Sequence, residues 1–199
     1  MLQIFLDFIF PGKKELLHEN LATNIIIEHK DQLLQTGVEH LDILVAASSY
    51  QNQPVLKQAI QALKYKKQTS YVEKLAPLLL NAYSHIPLEP DAILCPVPLH
   101  WTRYCSRGFN QATLLAKLLA KQTDTEVQHL LKRTKATGHQ AHRNRAERMQ
   151  SMCNAFRFKG AACPLHVVLI DDVMTTGSTL DSCAKELKRC GAKSVVGLV

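Results

Sequence analysis

The segment Val167–Leu180, VVLIDDVMTTGSTL, limits the fold more than any other part of the chain. Val167–Ile170 is an unbroken apolar run, as expected of a strand buried on both faces. Asp171 and Asp172 stand at its end, followed by Thr175-Thr176-Gly177-Ser178-Thr179. A helix then spans Ser178–Cys190, with Leu180, Cys183, Ala184 and Leu187 on one face and Gly191 as its stop. Adjacent residues on a strand point to opposite faces, so the chain must turn for both carboxylates to meet one ligand. Carboxylates at that place suit vicinal hydroxyls, or a divalent cation bound through oxygen. Gly177 permits a tight loop and close backbone approach. The N–H groups and dipole of the helix favour an anion. The hydroxyls of Thr175, Thr176 and Thr179 add hydrogen bonds, and Ser178 either joins them or caps the helix. The whole is a cradle for a sugar phosphate. Acids and hydroxyls that merely cap a strand–turn–helix are the alternative, which explains a lone T-T-G better than it explains this run. The segment lacks the lysine of a Walker loop, and it is not G-x-G-x-x-G.

The rest of the chain alternates in the same manner. Leu41–Tyr50 is an expected strand, and Val55–Tyr65 has apolar residues at helical spacing. A second helix covers about 71–84, where Pro77 either kinks it or marks a later start. Asp91–Leu99 is a short buried strand running into two prolines, Asn110–Lys121 a helix, and Val127–Leu131 a strand. Residues 132–150 are polar and basic, a long loop followed by a short helix. His166–Val173 and Ser194–Val199 are strands. This order predicts an α/β fold: a mainly parallel sheet flanked by helices over residues 41–199. Residues 1–40 form a small N-terminal helical appendage. The chain stops inside an apolar strand, which leaves open a natural C-terminus beyond residue 199.

Charge bears on partners. With 24 Lys and Arg against 17 Asp and Glu the net charge is +7, which favours phosphates, nucleic acid or anionic lipid. Six cysteines without a C-x-x-C pair, in a chain with an ample core, suit reduced thiols rather than a disulfide framework. Met1–Phe10 is apolar but too short to span a bilayer and lacks the features of a signal peptide. No stable membrane insertion is expected, and the expected location is the cytoplasm.

The pattern of Asp171, Asp172, Thr175, Thr176, Gly177 and Thr179 resembles the phosphoribosyl pyrophosphate (PRPP) loop of type I phosphoribosyltransferases. A narrower resemblance covers about residues 44–199. Cys95–Gln111, CPVPLHWTRYCSRGFNQ, is similar to the P-V-P-L…R…R-G-[FY]-N-Q segment of the ComF/GntX family. Gln140, Glu147-Arg148 and Ala155-Phe156 match a second stretch of that family, and Tyr50 with Leu63-Lys64-Tyr65 matches a third. The resemblance implies a type I phosphoribosyltransferase-like fold. It also implies that Asp171, Asp172, Thr175, Thr176, Gly177, Ser178 and Thr179 bind PRPP, with Asp171 and Asp172 sharing a Mg2+ cofactor. Pro98, Leu99, Arg103, Arg107, Gly108, Asn110 and Gln111 then take the pyrophosphate. Bidentate arginine contacts and the helix start at Asn110 suit that role.

Two departures stand out. Many family members begin with a zinc ribbon, which needs four Cys or His ligands. Residues 1–40 hold no cysteine and only His18, His29 and His40, so the ribbon is missing from this reading. Arg143 and Ser151 replace the family's frequent Leu and Asn.

The resemblance implies a competence protein active in DNA uptake and natural transformation, handling single-stranded DNA with cytoplasmic DNA-uptake proteins. Arg143, Arg145 and Arg148 are a flap over the site, a track for a nucleic-acid backbone, or an exposed basic loop. Trp101, Tyr104 and Phe109 are the best stacking candidates in a chain that is 6% aromatic, with core packing the alternative for Phe109. The other function is an active phosphoribosyltransferase, for which no acceptor and no general base can be assigned.

Overall fold

His166–Ile170 is a strand with helical layers on both sides, and the remaining elements are arranged around it. The computed structural model describes residues 25–49, 53–65, 71–135 and 154–199. In chain order these form β1 (Ile26–His29), α1 (Lys30–Gln35), β2 (Ile43–Ala46), α2 (Pro54–Tyr65), α3 (Tyr71–Tyr83) and β3 (Ile93–Pro96). There follow α4 (Trp101–Arg107), α5 (Gln111–Thr123), β4 (Leu131–Arg133), β5 (Phe156–Phe158), β6 (His166–Ile170), α6 (Ser178–Arg189) and β7 (Ser194–Leu198). The main sheet has the order β1-β2-β7-β6-β3, while β4 and β5 form a separate two-stranded sheet. Every pairing in the main sheet is parallel except β1 with β2. Leu169 lies opposite Cys95 on one side and Gly197 on the other.

The twofold period of β6 divides the core into two. Val167 and Leu169 face a cluster with Leu180, Cys183 and Leu187 of α6 and Phe156 of β5. Val168 and Ile170 face a second cluster with Leu63 of α2, Leu79 of α3, and Leu115 and Leu119 of α5. The continuous apolar runs of β3, β6 and β7 follow from this, since neither face meets water. The expected mainly parallel sheet flanked by helices is what the structure has.

Several elements differ from expectation. The stretch read as helical before residue 41 contains β1, which pairs with β2 from Ile26 opposite Ala46 to His29 opposite Ile43. Helix α3 starts at Tyr71 and runs through Pro77 without a later start. Burial of Leu75, Leu79, Ala82 and Tyr83 outweighs the hydrogen bond that proline forfeits. Val127 makes only an isolated bridge to Leu94, and the strand lies further on at β4. Helix α4 was not foreseen, because it buries no residue and so has no apolar stripe. Met1–Phe10, Tyr50, and the basic residues Arg143, Arg145 and Arg148 lie outside the described residues. Among the described residues, no helix is long and apolar enough to cross a membrane.

Replacing Leu169 by Ala in the middle of the sheet should cost about 2–5 kcal/mol in urea unfolding. Leu34→Ala, on the exposed side of α1, should cost less than about 1 kcal/mol in the same measurement.

Candidate functional site

Adjacent strands β3 and β6 send their helices to opposite faces. α5 packs in the cluster with Val168 and Ile170, and α6 in the cluster with Val167 and Leu169. Between two such strands a crevice must open at their C-terminal ends. Val97 N–H donates to Ile170 O at 2.9 Å, which holds the two strand ends together beneath it. A cavity of about 150 Å³ occupies the crevice.

One wall is cationic. Arg103 and Arg107 lie one helical turn apart on α4 and both line the cavity with the Val97-Pro98-Leu99 turn. His100 caps the start of α4, its ring accepting from Thr102 N–H. Gly108 closes the helix in the left-handed region, with φ 83°, donating its N–H to Tyr104 O at 2.7 Å. Asn110 fastens the turn to α5: its Oδ1 accepts from Ala112 N–H at 3.1 Å and its Nδ2 donates to Val97 O at 2.9 Å. Arg107 Nη1 donates to Oε1 of the buried Gln111 at 3.1 Å. Arg133 enters from β4, its guanidinium 5.4 Å from the Phe156 ring centre. Burial, then the neighbouring Arg103 charge, holds Arg133 below the usual arginine range. An anion placed between these arginines removes that repulsion.

The opposite wall is acidic. Asp171 N–H donates to Leu198 O at 3.1 Å, and Asp172 N–H donates to Asp171 Oδ1 at 2.8 Å. The chain turns here as a shared ligand requires, and both carboxylates line the cavity. Asp172 Oδ1 also meets Lys64 Nζ at 2.7 Å. Burial and the Asp172 charge push the Asp171 carboxyl up to about 7, against the pull of the Asp172 N–H, Lys64 and Arg133. Carboxylates displaced this far toward neutrality are common in functional sites.

The loop continues into α6. Gly177, not Ser178, is the N-cap, with φ 75°. A Cβ on Gly177 would stand 2.5 Å from Val38 Cγ2, so glycine is required on both counts. Ser178 lies within the helix, its hydroxyl 2.7 Å from Thr176 Oγ1. Thr179 lines the cavity. Thr175 lines a second, largely apolar cavity of about 330 Å³ that shares Asp171, Asp172 and Val173 with the first.

Asp171, Asp172 and Thr179 therefore share one cavity with Pro98, Leu99, Arg103, Arg107, Asn110 and Gln111. Thr176, Gly177 and Ser178 shape the loop, and Gly108 shapes the turn before α5, without lining that cavity. Sequence reasoning missed two members. In the sequence Lys64 stands only as part of a motif on an amphipathic helix, where an exposed lysine is the ordinary expectation. Arg133 belongs by sequence to the basic stretch that begins at residue 132, although its place at the end of an apolar run is a usable signal. Among the described residues no group of three or more His, Cys, Asp or Glu could hold a metal.

Comparison with known proteins agrees with this geometry. The model of the phosphoribosyl transferase domain matches residues 61–199. The chain is similar to DNA utilization protein YhgH of Salmonella typhi, 36% identical over 162 residues, 76% of this chain and 68% of the relative. It is also similar to competence protein F of Haemophilus influenzae, 36% identical over 145 residues, 68% of this chain and 63% of the relative. Competence protein ComFC of Bacillus subtilis is 29% identical over 149 residues, 75% of this chain and 60% of the relative.

Because Asp171 is harder to ionise when folded, it costs stability progressively as pH rises from about 4 to its folded value near 7. Asp171→Asn should therefore unfold at higher urea than the parent at pH 8, by on the order of 1–2 kcal/mol, with the advantage shrinking toward pH 5. Gly177→Ala should lose about 1–3 kcal/mol at either pH in the same unfolding assay.

Proposed function

The chain belongs to the ComF family of phosphoribosyl transferase domain proteins, and on that premise we propose that it binds PRPP, or a related phosphosugar, with Mg2+ between β3 and β6 in the service of DNA uptake. One observation carries this reading: Asp171, Asp172 and Thr179 of the acid–hydroxyl loop and Arg103 and Arg107 of the turn at 97–111, far apart in the chain, line a single cavity. In it the Asp171 and Asp172 carboxylates accept from the ribose hydroxyls. Thr179 and the N–H groups that open α6 hold the 5′-phosphate. Arg103, Arg107 and Arg133 take the pyrophosphate.

The fit to Mg2+ is partial. Two carboxylates are hard oxygen donors, but Lys64 already engages one of them. Mg2+ is commonly held by one or two carboxylates with the remaining ligands from substrate phosphates and water, which suits this site. When bound it would supply charge neutralisation for the pyrophosphate.

The names of the relatives support a role in competence and DNA utilization. Our reading assigns that role to the cytoplasm, in company with other DNA-uptake proteins. Trp101 and Tyr104 stand exposed on α4, the helix that carries Arg103 and Arg107. This combination of rings and cations suits stacking of single-stranded DNA bases beside a held backbone. Phe109 packs against the core and drops out of that role. Arg143, Arg145 and Arg148 supply further positive charge suited to a nucleic-acid backbone.

The apolar cavity across the acid pair favours a second reading, transfer of phosphoribose to an acceptor lodged there. The arginines would then stabilise the departing pyrophosphate by charge and position.

Calorimetric titration with PRPP and Mg2+ should give a binding heat that Asp171→Ala/Asp172→Ala abolishes. No heat with the parent protein sinks the assignment. Trp101→Ala/Tyr104→Ala should weaken single-stranded DNA binding by about tenfold or more without changing PRPP affinity, and unchanged DNA affinity removes α4 from that surface.

A further inference from the structure

Asp172 already has a cation. Lys64 sits in the last turn of α2, next to the fully buried Leu63 that anchors the helix. Its Nζ is 2.7 Å from Asp172 Oδ1, and the two side chains are only 20% and 11% exposed. The surface pair Lys30–Asp42 is 3.5 Å apart with 49% and 26% exposure. A pair as dry as Lys64–Asp172 carries a desolvation cost that an exposed pair avoids, and replacing both partners with apolar residues is often neutral or stabilising. Fold stability is thus a weak reason for a lysine at this position, whereas the cavity supplies a direct one.

The cavity wall carries Lys64, Arg103, Arg107 and Arg133 against Asp171 and Asp172. With every group ionised, two positive charges are left over. The acids suit sugar hydroxyls, yet two carboxylates next to a pyrophosphate repel it. A cation has to stand among them. A divalent metal can do so, and so can an ammonium group, a compact charge with three donors.

We infer, on the strength of the PRPP reading above, that Lys64 is the chain's own counter-cation for the acid pair and lowers the dependence of phosphosugar binding on Mg2+. Two effects of opposite sign follow. Lys64 assists the phosphosugar when metal is scarce. It also competes with free metal for Asp172, so the acid pair binds a divalent ion poorly until the phosphosugar adds its own oxygens.

The test uses the full chain with K64M and K64R. PRPP is titrated calorimetrically in Mg2+ and in EDTA, and Mn2+ alone is titrated by electron paramagnetic resonance. Parent PRPP affinity should fall by less than about tenfold in EDTA, and K64M affinity by about a hundredfold or more, with most of it restored by Mg2+. Mn2+ without PRPP should bind K64M several times more tightly than the parent. K64R, which keeps the charge, should follow the parent in both assays and guards against a K64M that folds badly. Parent binding that vanishes in EDTA, K64M losses equal in both buffers, or unchanged Mn2+ affinity would each overturn the inference while leaving the PRPP site in place. No PRPP heat from the parent in Mg2+ removes that site, and the inference with it.

Discussion

The opposite departure of α5 and α6 from neighbouring strands is the constraint on which the rest depends. Had both helices covered one face, the loops after β3 and β6 would lie side by side beneath a common layer. Because they part, the two strand ends face an opening that no side chain of the core can fill. Asn110 and the Val97 N–H stiffen one rim, and the Asp171 N–H fixes the other to β7. Charged groups can then gather at the opening without entering either core.

That gathering holds like charges close together. Asp171 lies against Asp172, and Arg133 is disfavoured by Arg103. Each repulsion alone destabilises the fold, and a ligand that set hydroxyls against the acids and an anion against the arginines would relieve both. The supports are arranged accordingly. The buried Glu186 accepts from Phe158 N–H at 2.9 Å and from Arg189, tying β5 to the same helix that begins at the end of the 171–177 loop. Val38 packs at Gly177 from the other direction. The loop therefore rests on a braced helix, which limits its freedom to relax away from the neighbouring charge.

Much of this was legible in the residues. VVLIDDVMTTGSTL displayed its strand, its acids and its helix, because burial on both faces demands an apolar run and the helix keeps a strict stripe. The partition of Val167–Ile170 between two cores follows from strand period alone. What stayed hidden had no local pattern. β1 is too short to alternate convincingly, α4 has no buried side to create a period, and β4 is stabilised by pairing with β5, far along the chain. Lys64 and Arg133 reach the cavity through tertiary packing, so no spacing within their own segments announces them. Gly177 holds the capping position, one of the two roles open to Ser178, because the loop needs a left-handed residue pressed against Val38.

Helix α4 buries none of its side chains, although it carries two arginines of the cavity wall. His100 and Gly108 fix its ends, and the buried His100 and the bond from Arg107 to the buried Gln111 anchor it to the interior. Because no residue of α4 is buried, substitutions at Trp101, Thr102, Tyr104, Cys105 and Ser106 are spared the volume requirements that govern the other described helices around the sheet. This face can change without approaching the threshold at which the domain unfolds. The molecule thus sets a crevice of closely held charges beside a strip of surface that packing leaves free to vary.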